Sequence, residues 1–226
     1  TRRSSDLTRW DNVGAMRNRG VEINVSADVL RIKDFTWNVN ANVSYNKNEI
    51  TELYNGITEY VASDTGRMVA VGHPLGEFYL NRYAGVNPTN GDALWYTKDG
   101  EITTEYNESD KVMLGKTHEA PWQGGFGTTL SWQGFSLSAQ FTWVADRWML
   151  NNDRVFQESN GLFSAYNQSK RMLYDRWKKP GDVTDIPRYG VTPQLDSRFL
   201  EDASFLRLKN LMLSYTFPQK WLQRTN

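Results

Sequence analysis

The chain of 226 residues contains no cysteine. Without a thiol it can form no disulfide framework, no thiolate zinc site, no iron–sulfur cluster and no cysteine nucleophile. An excess of charge is also absent, because 26 Lys and Arg balance 26 Asp and Glu. Binding along nucleic acid requires basic side chains concentrated on one face to neutralise phosphates. The composition therefore predicts no redox chemistry through sulfur and no nucleic-acid partner.

Long hydrophobic runs are missing as well. No stretch approaches the roughly 18 consecutive apolar residues of a membrane-spanning helix, whereas a β-barrel strand needs an apolar residue only at every second position. The start, 1–11, is polar and lacks the apolar segment of a signal peptide. The end, 219–226, is a polar segment that completes no strand. We expect a fragment at both ends.

The sequence does contain strict alternation of apolar and polar residues at a period of two, which predicts strands with one apolar face. The turns at 32–34 and 133–134 are minimal, so the four most regular strands are expected to form two hairpins. The last strand has a blurred phase that predicts a bulge. The predicted strands are 21–29, 35–45, 77–86, 92–106, 124–132, 135–143 and 205–217.

The length and polar face of these strands favour a membrane wall. They run for about 9 to 12 residues, close to the span of a tilted strand across a bilayer. Their polar residues are mostly Asn, Ser, Thr and Gln, which is typical of a hydrated barrel interior. The connections at 49–76 and 147–198 are long, and the second contains one predicted helix at 166–177. A soluble β-sandwich with a polar outer face is the alternative.

Aromatic residues at strand ends support the membrane interpretation, because amphipathic rings favour the bilayer interface. The expected girdle residues are Trp37, Tyr45, Trp132, Trp143, Tyr215 and Phe217.

The second long loop combines rings with carboxylate, amide and guanidinium groups. Such a set can stack on sugars and hydrogen-bond hydroxyl or peptide groups. The ligand-binding candidates are Asp146, Arg147, Trp148, Asn151, Asn152, Asp153, Arg154 and Tyr166, with Phe156 and Tyr174 beside them. Packing within the loop, or contact with a protein cap, is the alternative.

No catalytic or metal-binding constellation is predicted. His73 and His118 each stand without a ligand set at metal spacing. Glu201 and Asp202 are neighbours on a strand, so they point to opposite faces and cannot flank one glycosidic bond; we interpret them as a solvated loop end. The run 87–92 lacks the distal acidic ligand of a calcium loop and predicts an Asn-Gly turn. We therefore expect neither an enzyme nor a cofactor.

Several motifs resemble the β-barrel of TonB-dependent outer-membrane transporters, and specifically the SusC/RagA family. They follow the family's order over almost the whole chain. The matching runs are 10–14, 18–22, 35–37, 42–48, 72–79, 85–88 with Asn90-Gly91, Arg176-Trp177 with 185–188, and 200–210 with 213–218.

The resemblance implies an all-β fold, an antiparallel transmembrane β-barrel wall with long extracellular loops. It implies that 1–226 is about seven strands from the C-terminal part of a 22-stranded barrel domain, without the plug domain or the final strands. It further implies import of glycans or oligopeptides across the bacterial outer membrane. The expected partners are a SusD-like surface lipoprotein, the TonB complex through the absent N-terminal part, and outer-membrane lipid.

Two other classes of function remain as alternatives. The first is a soluble carbohydrate-binding β-sandwich module. The second is a β-fold glycosidase, for which the sequence shows no acid/base pair.

Overall fold

The structure is a computed structural model that describes residues 14–62, 66–163 and 165–219. Within these ranges the chain consists mainly of antiparallel strands with two short helices. The strands are β1 (Gly14–Ile32), β2 (Phe35–Leu53), β3 (Glu59–Ala62), β4 (Arg67–Ala70), β5 (Glu77–Leu80), β6 (Arg82–Val86), β7 (Ala93–Tyr96), β8 (Ile102–Thr103), β9 (Val112–Thr117), β10 (Trp122–Trp132), β11 (Phe135–Ala145), β12 (Trp148–Leu150), β13 (Leu200–Asp202) and β14 (Phe205–Tyr215). The helices are α1 (Asn152–Gln157) and α2 (Lys170–Tyr174).

The predicted all-β class is confirmed by this element order. None of the described helices is long and apolar enough to cross a membrane. The motif residues 10–13 lie outside the described residues.

Five strands form one large antiparallel sheet in the order β1-β2-β10-β11-β14. β1 and β2 each extend over 19 residues, and the other three over 11. Gln133 and Gly134 both have positive φ, 49° and 91°, as the tight turn between β10 and β11 requires. Both predicted hairpins are confirmed. The predicted bulge is also present, because Lys209 is skipped where β14 pairs with β11.

One face of this sheet is apolar from edge to edge. The pairing aligns side chains in rows across the strands, and the central row contains Val25, Ala41, Phe126, Phe141 and Leu208. Val25 is 57% exposed, and Leu208 in the same row is 48% exposed. Among the described residues no second sheet covers this face. A β-sandwich would bury it against a second sheet, so the structure does not support that alternative.

Aromatic side chains form two bands on the apolar face. The band nearest the short turns contains Phe35, Trp132, Phe135 and Tyr215, and the opposite band contains Tyr45 and Trp122. Tyr45 is ten residue positions beyond Phe35, which is about 33 Å along the strand and about 25 Å at a tilt of about 40°. This height equals the apolar band of an outer-membrane barrel.

The predicted girdle residues lie in or beside these bands. Trp37 and Trp143 are each one row further in. Phe217 packs edge-on against Tyr215 with ring centroids 5.0 Å apart.

Two of the seven predicted wall strands are not in the large sheet. The region 77–86 forms β5 and β6, and the region 92–106 forms β7 and β8, in two smaller sheets of order β3-β4-β5-β9 and β6-β7-β8. These strands are only two to five residues long. Both faces of β5 are buried, with Glu77 3% and Leu80 0% exposed. The described part of the wall therefore contains five strands rather than seven.

The connections between wall strands are strongly unequal. Two short turns lie at one end of the sheet, at 33–34 and 133–134. Two long segments lie at the other end: the first connection (54–121) between β2 and β10, and the second connection (146–204) between β11 and β14. The predicted asymmetry is therefore confirmed. The two long connections remain on the same side although two predicted strands are not in the large sheet. This is because removing a pair of strands leaves the directions of the other strands unchanged.

The buried core of the described residues lies mainly in the connections. Phe78, Leu80 and Leu200 form one cluster, which joins the first connection to the second. Ile50, Leu53 and Val69 form another at the end of β2, where that strand extends past β10 and pairs with β1 alone. The two connections thus fold into one packed layer at the end of the sheet opposite the short turns.

The helix predicted at 166–177 is shorter than expected. α2 begins after Ser169, whose hydroxyl accepts a hydrogen bond from the Arg171 amide at 3.3 Å. It ends at Tyr174, because Arg176 pairs with Ile186 as an isolated bridge. α1 was not predicted.

Candidate functional site

The eight candidate residues lie at the start of the second connection but do not converge on one site. Asp146 adopts positive φ after β11 and accepts a hydrogen bond from the Trp148 indole at 3.1 Å. The Arg147 carbonyl accepts a hydrogen bond from the Ala203 amide at 2.7 Å. Trp148 packs against the Leu80 cluster, and its ring lies 3.3 Å from the Lys116 ammonium. These three residues position the backbone of the loop.

Arg154 is the centre of an ion-pair network. Its guanidinium donates to both oxygens of Glu158 at 3.0 Å and to Glu201 Oε1 at 2.7 Å. The Asn151 amide donates to the second oxygen of Glu201 at 3.0 Å, and the Asn151 oxygen caps α1 by accepting from the Arg154 amide. Asn151 and Arg154 are therefore committed to contacts within the loop.

Arg171 extends the network to α2. It donates to Glu158 Oε1 at 2.7 Å and to both oxygens of Asp185 at 2.6 and 2.7 Å. Glu158 is only 1% exposed and is shared by Arg154 and Arg171. A buried carboxylate with two guanidinium partners satisfies the rule that buried charges are paired and hydrogen-bonded. We name Arg154, Glu158, Arg171, Asp185 and Glu201 the loop network.

Electrostatics support these pairings. Burial opposes ionisation of Asp185, but hydrogen bonds and the charge of Arg171 outweigh it and hold the pKa of that carboxyl below its ordinary value. Hydrogen bonds from Arg154 and Asn151 lower the pKa of Glu201. Both carboxylates are thus ionised at neutral pH. Glu201, interpreted as part of a solvated loop end, has a side chain that is 42% exposed, and its carboxylate also closes the network.

Two of the three remaining candidates border an open hollow. Asp153, Phe156, Gln157, Tyr166 and Asn167 line a space of about 410 Å³ beside α1. Tyr166 is 60% exposed and Phe156 36% exposed. Asn152, the first residue of α1, is exposed. Of the eight candidates, therefore, only Asp153 and Tyr166 face this hollow.

Motifs from both connections meet at Gly91. The turn at 87–92 is closed by a hydrogen bond from the Gly91 amide to the Asn87 carbonyl at 2.8 Å, as the predicted Asn-Gly turn requires. The Trp177 indole donates to the Pro88 carbonyl at 3.2 Å, and Arg188 pairs with Asp92 at 2.9 Å. Two of the runs that carried the family resemblance therefore form one contact.

Gly91→Ala is expected to destabilise this contact. Gly91 has φ +79°, and an added Cβ would lie 2.4 Å from the Trp177 ring. Gly100→Ala is the matched control, because Gly100 has φ +94° in the same connection with nothing within 4 Å. Each variant incurs about 1 kcal/mol from its backbone conformation. Only Gly91→Ala also displaces a ring, so its thermal unfolding temperature should fall further. Equal shifts would contradict the contact.

Sequence reasoning missed three members of the loop network, Glu158, Arg171 and Asp185. One local signal was present. Arg154 and Glu158 stand at i and i+4 after Asn151, a good capping residue, which together predict a helix turn with an ion pair. The contacts to Asp185 and Glu201 join distant parts of the sequence, and no local spacing indicates them.

Neither histidine lies in a group of metal ligands within the part of the chain that the structure describes. His73 contacts the buried Glu77 carboxylate, with Nδ1 2.9 Å from Oε2. The other Glu77 oxygen accepts from the Gly115 amide at 2.7 Å. Glu77 therefore joins β5 to β9 through Gly115, and to the loop before β5 through His73.

Comparison with known proteins finds similarity to TonB-dependent receptors. No protein-family model matches it. TonB-dependent receptor P3 of Formosa agariphila is 26% identical over 237 residues, covering 95% of this chain and 23% of that protein. TonB-dependent receptor SusC of Bacteroides thetaiotaomicron is 25% identical over 238 residues, covering 95% of this chain and 22% of that protein.

Solved structures agree with these relatives. The RagAB peptide transporter superposes with a TM-score of 0.88 at 36% identity, over 95% of this chain and 24% of that one. The RagAB peptide importer in its closed-closed state gives 0.86 at 38% identity, over 93% and 24%. The chain thus spans about a quarter of the length of its relatives. The resemblance inferred from the motifs, the partial barrel wall and the bacterial outer-membrane location are confirmed.

Proposed function

The chain is related in sequence and fold to the SusC-like TonB-dependent receptors, and we propose that it is part of the barrel domain of an importer of oligopeptides or glycans. The five-stranded sheet carries this proposal. Its two outer strands, β1 and β14, each have one edge without a partner among the described residues. Long unpaired edges invite aggregation, and closure with further strands of a barrel removes them. Residues 1–226 then supply one arc of the wall.

The exposed apolar face supports membrane insertion. Its two aromatic bands stand about 25 Å apart at a barrel tilt, the height of an outer-membrane hydrocarbon layer. The opposite face carries uncharged polar residues, including Asn40, Asn42 and Gln140, as expected of a hydrated lumen. Outer-membrane lipid is thus the partner of one face, and water, plug and ligand are the partners of the other.

The packed layer of connections is the extracellular side of the proposed importer. Outer-membrane barrels have short periplasmic turns and longer external loops. Ligand capture there, by the second connection and a SusD-like lipoprotein, needs no covalent chemistry, and we propose that the chain is not an enzyme. Energy coupling to TonB is assigned to parts of the receptor outside this chain.

Oligopeptides are the favoured substrate class. The solved structures with 36% and 38% identity are named a peptide transporter and a peptide importer. Amide side chains of the lumen face and of the hollow beside α1 offer donors and acceptors for peptide groups.

Deleting the gene in its host tests the proposal. The deletion strain is expected to lose uptake of a fluorescent oligopeptide mixture, and the affinity-tagged protein should copurify with a lipoprotein from the outer-membrane fraction. Uptake of labelled glycans, measured in parallel, distinguishes the second substrate class. Unchanged uptake of both classes, or recovery of the protein as a soluble monomer, would overturn the proposal.

A further inference from the structure

The hollow beside α1 combines aromatic and acidic groups without a basic one. Its five lining residues supply the rings of Phe156 and Tyr166, the carboxylate of Asp153, and two amides. A carboxylate beside aromatic faces is the chemistry that recognises a cation, since both the charge and the ring quadrupole attract it.

The arginines of the loop network are paired with carboxylates other than Asp153. Arg154, its neighbour in the chain, is held by Glu158 and Glu201, and Arg171 is held by Glu158 and Asp185. Asp153 forms no ion pair with any residue that the structure describes. The loop network therefore neutralises Arg154 and Arg171 and leaves the Asp153 carboxylate unpaired at the hollow.

The rings of Phe156 and Tyr166 both pack against a third ring, that of Phe163. Phe163 packs on Phe156 with centroids 5.0 Å apart and on Tyr166 at 6.3 Å. The Phe163 amide donates to the buried Ser159 hydroxyl at 3.2 Å. Phe156 and Tyr166 are inclined at 55° to each other with centroids 5.9 Å apart. Two fixed rings inclined in this way suit a compact cation better than a flat sugar ring, which stacks on one open face.

We propose that this hollow binds a primary ammonium group of a peptide ligand, with Asp153 as the ion-pair partner and Phe156 and Tyr166 as cation–π faces. The inference rests on the proposed import of oligopeptides and narrows it to peptides that present this group. A lysine side chain and a free amino terminus share this chemistry.

Titration calorimetry of three matched hexapeptides with the full-length receptor in detergent tests the site. The first peptide has a free amino terminus and an acetylated lysine, and the second has an acetylated terminus and a free lysine. The third has both groups acetylated. A peptide with one ammonium should bind about tenfold more tightly than the doubly acetylated one. The preferred peptide identifies the source of the ammonium.

Variants assign the effect to the hollow. Asp153→Asn should remove most of the preference, because only the cation–π contacts with Phe156 and Tyr166 remain. Asp99→Asn, at an exposed turn of the first connection, is the matched control and should retain the preference. Equal affinity for the three peptides, or a preference that Asp153→Asn leaves undiminished, overturns the inference and leaves peptide import standing. Failure of every peptide to bind, with no peptide uptake by cells, overturns the proposed substrate class as well.

Discussion

Replacing Glu158 by alanine is expected to loosen the second connection, lowering its free energy of opening by about 3–5 kcal/mol. Glu158 is 1% exposed and lies between the guanidinium groups of Arg154 and Arg171. Its removal leaves two like charges close together and only partly paired, and the cost of a buried unpaired charge exceeds that of a lost surface contact. The longer contact between Arg154 and Asp185, at 3.8 Å, is then what joins α1 to α2 through Arg171.

Native-state hydrogen exchange measures this loss in the full-length receptor. The informative amides are those of residue 158 and Asp175, which donate to the carbonyls of Arg154 and Arg171 at 2.7 and 2.8 Å. Both should exchange faster in Glu158→Ala. Glu105→Ala removes an exposed carboxylate in the first connection and should change neither amide. Unchanged protection in Glu158→Ala would show that the network does not stabilise the loop.

Ala41→Arg should destabilise the wall by about 2–4 kcal/mol, because it places a charge at mid-height on the lipid-facing side. Ala41 belongs to the central row of the apolar face, between Val25 and Phe126. The matched variant is Asn40→Arg. Asn40 is the next residue on the same strand and faces the polar side, in a row with Ser26 and Gly127. A charge there remains in the hydrated lumen.

Denaturant unfolding of the receptor in lipid vesicles, followed by tryptophan emission, compares the two variants. We expect the free energy of unfolding to fall strongly in Ala41→Arg and only slightly in Asn40→Arg. Losses of equal size would mean that the two faces do not differ in environment, and a larger loss for Asn40→Arg would mean that the assignment of faces is reversed.

The two hairpins could be predicted from the sequence because one face meets an apolar environment and the other a polar one along the whole strand. That condition produces strict alternation, as in 35–45 and 135–143. It also sets the register, since a slip by one residue would exchange the faces. The aromatic bands follow from the same pattern.

The strands at 77–86 and 92–106 show where this reasoning fails. The alternation is weaker in these two segments than in the wall strands, and polar side chains of the first segment are hydrogen-bonded inside the loop layer. Glu77 is 3% exposed and bonded to the Gly115 amide, and Asn81 is 0% exposed with its amide donating to the Asn107 carbonyl at 2.7 Å. The sequence alone does not distinguish a polar residue that faces a lumen from one that is hydrogen-bonded in a core.

The candidate site was predictable only in outline. Composition indicated the segment, but amides and guanidinium groups look alike in sequence whether they face a ligand or each other. Arg154 and Asn151 are committed to Glu158 and Glu201, and the sequence separation between Asn151 and Glu201 conceals that contact. Asp153 is open for the opposite reason: the surrounding arginines have other partners.

Labelling of single cysteines tests the orientation of the wall most directly, and the chain suits it because it contains no cysteine of its own. Val183 is 95% exposed in the second connection, and Gln133 lies in a short turn at the opposite end of the sheet. Val183→Cys should react in intact cells with a maleimide attached to a polymer too bulky to cross the outer membrane. Gln133→Cys should react only after the outer membrane is permeabilised. Labelling of Gln133→Cys in intact cells, or protection of Val183→Cys, would contradict a barrel wall whose long connections face outward.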